Sequence, residues 1–289
     1  MNRGLFIKTS LLGLFSMTTL SDLEKLTRNF PGTETRMPVL FVGHGSPMNA
    51  IESNEFSRGW NEMGKQLPKP RAILCISAHW ETRGTFVTAM EKPKTIHDFG
   101  GFPQELFDVQ YPAPGNPELA VETKKTVNDI NIGLDQAWGL DHGCWSVLNQ
   151  MYPKADIPVI QLSLDYTKDA QWHYSLAKEL AVLRTKGILI LGSGNIVHNL
   201  RLINWNDFNA KMEWAEIANE KFKKLISADD INSLVSYNKL GKEAELSIPT
   251  PEHYLPMIYS LALKEEKESL AFFNDKTMGP ISMTSFKIG

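Results

Sequence analysis

Short runs of apolar residues that end in polar or glycine-rich segments recur along most of the chain. Residues 72–78 form one such run, which follows Pro70 and leads into His79, and residues 38–42 form another that leads into His44. A run of four to eight apolar residues between turn signals predicts a buried strand. Strands that are apolar on both faces are typical of parallel sheets covered by helices, so the pattern predicts an α/β fold.

Strands and helices are expected to alternate from Met37 to the end. Strands are predicted at residues 38–42, 72–78, 85–89, 130–134, 158–163, 187–192, 270–274 and 281–287. Helices are predicted at residues 55–66, 117–128, 147–151, 169–184 and 209–226. Another is expected to open at Thr250 and Pro251, because threonine suits an N-cap and proline the first helical position. We therefore expect one domain, residues 37–289, with a central, mostly parallel or mixed sheet flanked by helices.

The first 36 residues differ from the rest and are treated as an N-terminal extension. Arg3 and Lys8 precede an apolar stretch at residues 9–20, which has the form of an export signal but is too short to span a bilayer. The opening resembles a twin-arginine signal in which Gly4 stands in place of the second arginine. The alternatives are an amphipathic helix or a frayed extension. We expect a cytoplasmic protein, or a periplasmic one if residues 1–20 act as an export signal.

The overall composition is that of an ordinary globular protein, with 42% hydrophobic and 22% charged residues. A net charge of −3 without a basic run argues against a nucleic-acid partner, and we expect no membrane partner either. Two cysteines are too few for a disulfide framework. Cys75 is interpreted as an inert core thiol, and Cys144 is left open. A monomer or small homo-oligomer is expected.

Four histidines occupy positions where a strand ends or a helix begins: His44, His79, His198 and His253. Ligands of parallel sheets bind beyond the carboxyl ends of the strands, so His44 and His79 are expected to meet at one edge. Neutral imidazole is the commonest metal ligand, and three such ligands leave coordination positions open. Facial sites of this kind suit non-haem Fe(II) and oxygen chemistry. The sequence therefore suggests a metal site built from residues far apart in the chain.

The other three histidines receive plainer interpretations from the residues alone. His173, beside Trp172 at the start of a helix, is expected to be structural. His97 and His142 lie in segments rich in glycine and aspartate, and they are first interpreted as surface-loop residues.

The chain resembles the 4,5-DOPA extradiol dioxygenase family, within the class III (LigB-like) extradiol ring-cleavage dioxygenases. The resemblance runs from about Met37 to Gly289 and rests on seven segments in order: G-H-G-S-P-M-N, S-A-H-W, T-I-H-D-F-G-G-F-P, Y-P-A-P-G, D-H-G-C-W, S-G-N-I-V-H-N-L and P-T-P-E-H-Y-L-P. It implies a single α/β domain that holds one metal ion and cleaves a catechol ring beside its two hydroxyl groups.

The resemblance also implies roles for individual residues. His44, His79 and His253 match the metal ligands, with Glu252 as the alternative third ligand because the broader class uses a glutamate. His198 matches the acid–base histidine of the family, and it could also come close enough to serve as a fourth ligand.

The catechol pocket would be lined by His142 and His97. Phe99, Phe102 and Trp80 could form its apolar walls, although core packing suits Trp80 at least as well. The residue that binds a substrate carboxylate is left open among four basic residues: Arg58, Arg83, Lys94 and Arg201.

The implied substrates are a small catechol such as DOPA and O2, with Fe(II) expected for activity. Zn(II) can occupy an all-histidine site at least as well by the usual affinity order. Two alternatives remain at this stage. One is a zinc-dependent hydrolase that uses metal-bound water with His198 as the base. The other is a non-catalytic metal-binding relative.

Overall fold

A mixed sheet with four parallel strands at its centre organises the chain. The computed structural model describes residues 36–204, 206–207 and 210–289. In that part of the chain the strands are β1 (Val39–Gly43), β2 (Ala72–Thr82), β3 (Phe86–Thr88), β4 (Gly133–Asp135), β5 (Val159–Asp165), β6 (Ile188–Gly194), β7 (Leu270–Phe273), β8 (Thr277–Met278), β9 (Ile281–Ser282) and β10 (Ser285–Ile288). Eight of them form one sheet in the order β4-β3-β5-β2-β6-β1-β10-β7, and β8 pairs with β9.

The direction of the strands changes only toward the edges of the sheet. β5, β2, β6 and β1 are neighbours and run parallel. β3 is antiparallel to β5, and β10 is antiparallel to both β1 and β7. The carboxyl ends of the four central strands therefore lie along one edge. The predicted fold class, a single α/β domain with a mixed sheet, is confirmed.

Helices connect these strands and cover both faces of the sheet. They are α1 (Glu55–Gln66), α2 (Gln104–Phe107), α3 (Pro117–Thr126), α4 (His142–Met151), α5 (Ala170–Glu179), α6 (Ala181–Arg184), α7 (Glu213–Ser227), α8 (Ile231–Val235), α9 (Lys242–Ser247) and α10 (Leu255–Ala262). Short 3₁₀ helices occur at Pro47–Ala50, Leu200–Leu202 and Tyr237–Lys239.

Alternate residues of each central strand enter two separate cores. In β2, Leu74 and Ile76 pack into the core beneath α5, α7 and α10, whereas Ile73 and Cys75 pack into the core beneath α1 and α4. All four side chains are fully buried. A strand projects successive side chains to opposite faces, so a continuous apolar run is what a sheet covered on both sides requires.

Most predicted elements are present, with shifted ends. The helix predicted at residues 55–66 has those bounds as α1, but the helix predicted at 169–184 divides at Leu180 into α5 and α6. The helix expected to open at Thr250 begins instead at Leu255, so Thr250 as its N-cap is wrong. The hydroxyl of Thr250 donates to the Glu252 carboxylate at 2.9 Å, so it is engaged within the turn that precedes α10.

The predicted N-terminal extension, with its export-signal segment, lies almost entirely outside the described residues. Its boundary at residue 36 and the cytoplasmic or periplasmic location stay predictions, as does the oligomeric state. The described residues lie within one compact unit. None of the helices in this part of the chain has the length and apolar character needed to cross a membrane.

Candidate active site

The carboxyl edge of the central strands brings four histidines together. His44 directly follows β1, His79 lies near the end of β2, and His198 follows β6 by four residues. His253 lies in the turn before α10, and its carbonyl accepts a hydrogen bond from the backbone of the segment after β6 at 2.8 Å. This turn packs so closely on β6 that a Cβ at Gly194 would lie 2.2 Å from the His253 carbonyl oxygen. Only glycine fits there.

Three of the imidazole rings form a nearly equilateral triangle. The ring centroids are 5.0 Å apart for His44 and His79, 5.4 Å for His44 and His253, and 5.0 Å for His79 and His253. His198 stacks on His253 with a centroid separation of 3.5 Å and an interplanar angle of 11°. All four histidines singled out from strand ends and helix starts therefore belong to one cluster.

A fifth histidine, His142, also joins this cluster. It is the first residue of α4 and is only 6% exposed, so its interpretation as a surface-loop residue is wrong. Its ring centroid lies 3.8 Å from that of His79 and 5.6 Å from that of His44. The potential ligand atoms of His44, His79 and His142 lie within 4.8 Å of one another, as do those of His198, Glu252 and His253. Two neighbouring groups that share no residue could therefore hold an ion.

Hydrogen bonds define which nitrogen of His44 carries the proton. The hydroxyl of Ser193 donates to the Gly143 carbonyl at 2.5 Å, which uses its only hydrogen. The Nδ1 atom of His44 lies 3.0 Å from the same hydroxyl oxygen and must therefore be the donor. The Nε2 atom of His44 is then left with a free lone pair.

Carboxylates hold the corresponding nitrogens of His79 and His253. The Nδ1 atom of His79 lies 3.4 Å from Oδ2 of Asp98, and that of His253 lies 3.0 Å from Oε1 of Glu252. Ionised carboxylates only accept hydrogen bonds, so Nδ1 of His253 donates to Glu252 and Nε2 of His253 keeps its lone pair. The negative charge of Asp98 near Nδ1 of His79 favours the same arrangement in that ring. The Nε2 atoms of His44 and His79 face each other at 3.1 Å. One metal ion can bind two imidazole nitrogens at this spacing, so the donor set fits a metal ion.

Burial keeps these imidazoles in their neutral, ligating form. Burial lowers the pKa of His79 to about 3 and the pKa of His198 to about 4, with neighbouring histidines adding to both effects. Burial followed by the other histidines also lowers the pKa of His44 and of His253 well below the ordinary value. Metal binding by imidazole requires the neutral form, so the histidines are ready to bind an ion at neutral pH.

A buried carboxylate, Asp141, aligns the segments that carry His79 and His142. It caps α4 by accepting from the Cys144 backbone N–H, and it accepts from the hydroxyl of Ser77 in β2 at 2.6 Å. Its other oxygen accepts from the side chains of Trp138 and Gln161. Because four donors satisfy this carboxylate, it can remain in the core and tie β2 to α4.

The Cys144 thiol is fully buried and burial raises its pKa, so it is a poor nucleophile.

Aromatic residues lie beside His142. The Phe99 ring packs edge-on against that of His142 at 5.6 Å and contacts Phe102 at 5.4 Å. His97 lies farther out, with its ring 5.8 Å from Phe99 and its Nε2 atom 2.9 Å from the Val109 carbonyl oxygen.

Trp80 and His173 have structural roles. Trp80 is 4% exposed and stacks on Trp138 at 5.7 Å, as core packing would require. His173 is fully buried between the Tyr259 hydroxyl and the Asp165 carbonyl, which confirms the structural role expected for it.

Three polar residues of the site were missed by the sequence analysis: Asp98, Asp141 and Ser193. Two of them carried a signal, because Asp98 follows His97 directly and Asp141 precedes His142. A carboxylate beside a histidine is a common way to orient an imidazole. Ser193, inside an apolar strand, carried no such signal.

Comparison with known proteins identifies the class of this site. A family model described as the catalytic LigB subunit of aromatic ring-opening dioxygenase matches residues 38–279. The chain belongs to this family, and it is an oxidoreductase of the dioxygenase class. Metal dependence and a small aromatic substrate used with O2 follow from that membership.

Individual relatives agree with this family. The chain is 48% identical over 273 residues to the 4,5-DOPA dioxygenase extradiol of Escherichia coli (strain K12), covering 92% of this chain and all of that protein. It is 36% identical to the 4,5-DOPA dioxygenase extradiol of Beta vulgaris, covering 86% of this chain and 94% of that one. A crystal structure of an uncharacterized protein from Escherichia coli K12 superposes with a TM-score of 0.77 at 44% identity, covering 88% of this chain and all of that one.

Proposed function

We propose that the protein is an extradiol ring-cleaving dioxygenase that acts on a catechol such as DOPA, using O2 and a single non-haem Fe(II). The observation that carries this proposal is the 3.1 Å approach of the Nε2 atoms of His44 and His79, with His253 completing the triangle of rings. Three neutral nitrogen ligands on one side of an ion leave positions open for a bidentate catechol and dioxygen. The names of the relatives support the catechol substrate.

The metal ligands in this proposal are His44, His79 and His253. Nδ1 of His44 donates to Ser193 and Nδ1 of His253 donates to Glu252, while Nδ1 of His79 lies 3.4 Å from the Asp98 carboxylate. All three rings therefore have Nε2 available for a metal ion. Glu252 is the alternative third ligand: its Oε1 atom accepts hydrogen bonds from Thr250 and His253, so only Oε2 is available to an ion. When bound, Fe(II) would supply the Lewis-acid and redox chemistry that a catechol and dioxygen require.

His198 is the proposed acid–base residue. Its ring nitrogens make no hydrogen bond to any side chain within the described part of the chain, while its ring is held flat against His253. A neutral imidazole with a free nitrogen can take a proton from a catechol hydroxyl and return it to the opened product. The same stacking also leaves open its alternative role as a fourth ligand.

His142 and His97 are proposed to line the catechol pocket together with Phe99 and Phe102. His142 lies beside the proposed ligands and presents its Nε2 atom, because its Nδ1 atom is bound to Asp98 at 3.0 Å. The edge-on phenyl ring of Phe99 lies next to it and suits the face of an aromatic substrate. His97 contacts Phe99, and Phe99 in turn contacts His142. We therefore expect His97 to contact the outer part of the substrate or to hold the loop that carries Phe99.

Metal content of histidine variants tests the ligand assignment. Each variant is purified without metal, titrated anaerobically with Fe(II) and analysed for bound iron. We expect alanine at His44, His79 or His253 to abolish binding, whereas His198→Ala and His142→Ala retain one equivalent. His173→Gln serves as a control for the loss of a buried histidine outside the cluster. Loss of iron from His142→Ala with retention by His253→Ala would move the third ligand to His142.

The product of the reaction tests the proposed activity. The Fe(II) form is mixed with DOPA in the presence of ¹⁸O₂, and the product is identified by mass spectrometry and NMR. We expect a ring opened beside the diol that contains both labelled oxygen atoms, and no turnover in His198→Ala at normal iron content. Cleavage between the two hydroxyl-bearing carbons, or no reaction with any of a panel of catechols, would contradict the proposal.

A further inference from the structure

The Asp98 carboxylate contacts two different histidines of the cluster. It lies in the loop between β3 and α2, and its side chain is only 18% exposed although its backbone is open to solvent. Oδ1 accepts from the backbone N–H of His142 at 2.9 Å. Oδ2 lies 3.0 Å from Nδ1 of His142 and 3.4 Å from Nδ1 of His79. One carboxylate oxygen thus faces the same nitrogen on two rings.

These contacts determine the position of a proton on each ring. The hydrogen bond to Oδ2 requires Nδ1–H on His142, so the Nε2 atom of His142 carries a lone pair. The negative charge 3.4 Å from Nδ1 of His79 favours a proton on that nitrogen as well. The two rings are close neighbours, with centroids 3.8 Å apart, and each would otherwise be able to rotate or change tautomer. The backbone N–H of His142 also anchors the carboxylate to the first residue of α4, so the carboxylate stays in place if either ring rotates.

We propose that Asp98 is a positioning residue that sets one tautomer on two histidines at once, His79 on the metal side and His142 on the substrate side. The proposal rests on the proposed function in assigning those two sides. Through His79, the carboxylate orients a ligand and increases its basicity. Through His142, it leaves Nε2 as an acceptor for a substrate hydroxyl. One residue thereby couples metal affinity to substrate recognition.

Asp98→Asn is the sharpest substitution, because asparagine has nearly the same shape but presents an N–H in place of one acceptor. We expect Zn(II) affinity, measured by competition with a chelator, to fall roughly 10–100-fold. In the Fe(II) form we expect KM for a catechol to rise as well as kcat to fall, since both rings are affected. Asp98→Glu should recover part of the metal affinity. Asp108→Asn, at the C-cap of α2, is the matched control and should leave every value unchanged.

The tautomers can be observed directly in the unmodified protein. Nitrogen-15 NMR of histidine-labelled protein, with the resonances of His142 assigned by His142→Gln, distinguishes Nδ1–H from Nε2–H. We expect Nδ1–H on His142 in the wild type and a change to Nε2–H in Asp98→Asn. A wild-type His142 with its proton on Nε2, or an Asp98→Asn variant with wild-type Zn(II) affinity, would overturn the proposal.

These measurements separate the proposal from the proposed function. Zinc affinity and NMR need no turnover, so they decide the role of Asp98 even if the Fe(II) form proves inactive with every catechol. Conversely, the wild type can be fully active while Asp98→Asn matches Asp108→Asn in Zn(II) affinity, kinetics and NMR. That result would leave the dioxygenase assignment in place and refute the positioning role of Asp98.

Discussion

Ser193→Ala tests whether the hydrogen bonds around His44 prepare it to bind a metal. The Ser193 hydroxyl is fully buried, accepts from Nδ1 of His44 at 3.0 Å and donates to the Gly143 carbonyl at 2.5 Å. Alanine removes both contacts and leaves the His44 Nδ1–H without its acceptor. The variant retains the apolar volume of the side chain, so the effect isolates the hydroxyl.

The expected magnitudes follow from these two contacts. A buried donor without a partner costs about 1–3 kcal/mol, and the hydrogen bond to Gly143 contributes about 1 kcal/mol more. We therefore expect the free energy of unfolding of the metal-free protein to fall by about 2–4 kcal/mol. Loss of the outer hydrogen bond to a ligand lowers metal affinity roughly 10–100-fold, which corresponds to about 1.4–2.8 kcal/mol of binding free energy.

The assay combines urea unfolding of the metal-free protein with chelator competition for Zn(II). Ser260→Ala is the matched control, because Ser260 is equally buried and its single hydroxyl hydrogen is shared between two backbone carbonyls, those of Leu40 and Pro256. We expect Ser260→Ala to lose stability but keep its metal affinity. Equal zinc affinities for the two variants would refute the argument that Ser193 fixes the tautomer of His44.

Three further predictions concern packing and charge. Burial lowers the pKa of His173 from 6.5 to about 4. Between these pH values the unfolded chain binds more protons than the folded chain. The neutral His173 therefore contributes about 3 kcal/mol to the free energy of unfolding above pH 6.5, and this contribution is lost as the pH falls toward 4. Urea unfolding of His173→Gln should therefore show a weaker pH dependence than the wild type, and an equal dependence would contradict this. A Cβ at Gly143 would lie 2.5 Å from Oγ of Ser77 and 2.9 Å from Cδ2 of His79, so Gly143→Ala should displace this part of β2 and weaken Zn(II) binding roughly tenfold. Unchanged binding would contradict this expectation. Arg184 is fully buried and paired with Glu268, so Glu268→Ala should lower the free energy of unfolding by about 3 kcal/mol, and a thermal melt indistinguishable from wild type would contradict it.

The central strands and two of their histidines could be predicted because their signal is local. An apolar run such as residues 72–78 has few alternatives to a buried strand, and a histidine at its end must lie at the carboxyl edge. His44 and His79 needed nothing more than that argument to be expected in proximity, and the structure brings their Nε2 atoms to 3.1 Å. The role of His253 depended on the family resemblance, because no strand precedes it.

The errors have physical causes that a local pattern does not contain. The interpretation of His142 as a surface-loop residue rests on its glycine- and aspartate-rich segment, yet Asp141 caps a helix in which most residues are buried. Thr250 satisfied the local rule for an N-cap, but its hydroxyl is bound to Glu252. The carboxylate of Asp98 meets His79 across the sheet edge, and such contacts depend on tertiary packing.

Oxygen uptake by the same protein loaded with either Fe(II) or Zn(II) tests the central claim most directly. One sample of the metal-free protein is loaded anaerobically with one equivalent of Fe(II) and a second sample with one equivalent of Zn(II). Each sample is then mixed with DOPA in air-saturated buffer. We predict that the Fe(II) form consumes one O2 per catechol and gives a ring-opened product, while the Zn(II) form consumes none. If neither form consumes oxygen with any catechol and the Zn(II) form hydrolyses an ester or amide, the proposed reaction is wrong even though the histidines bind metal.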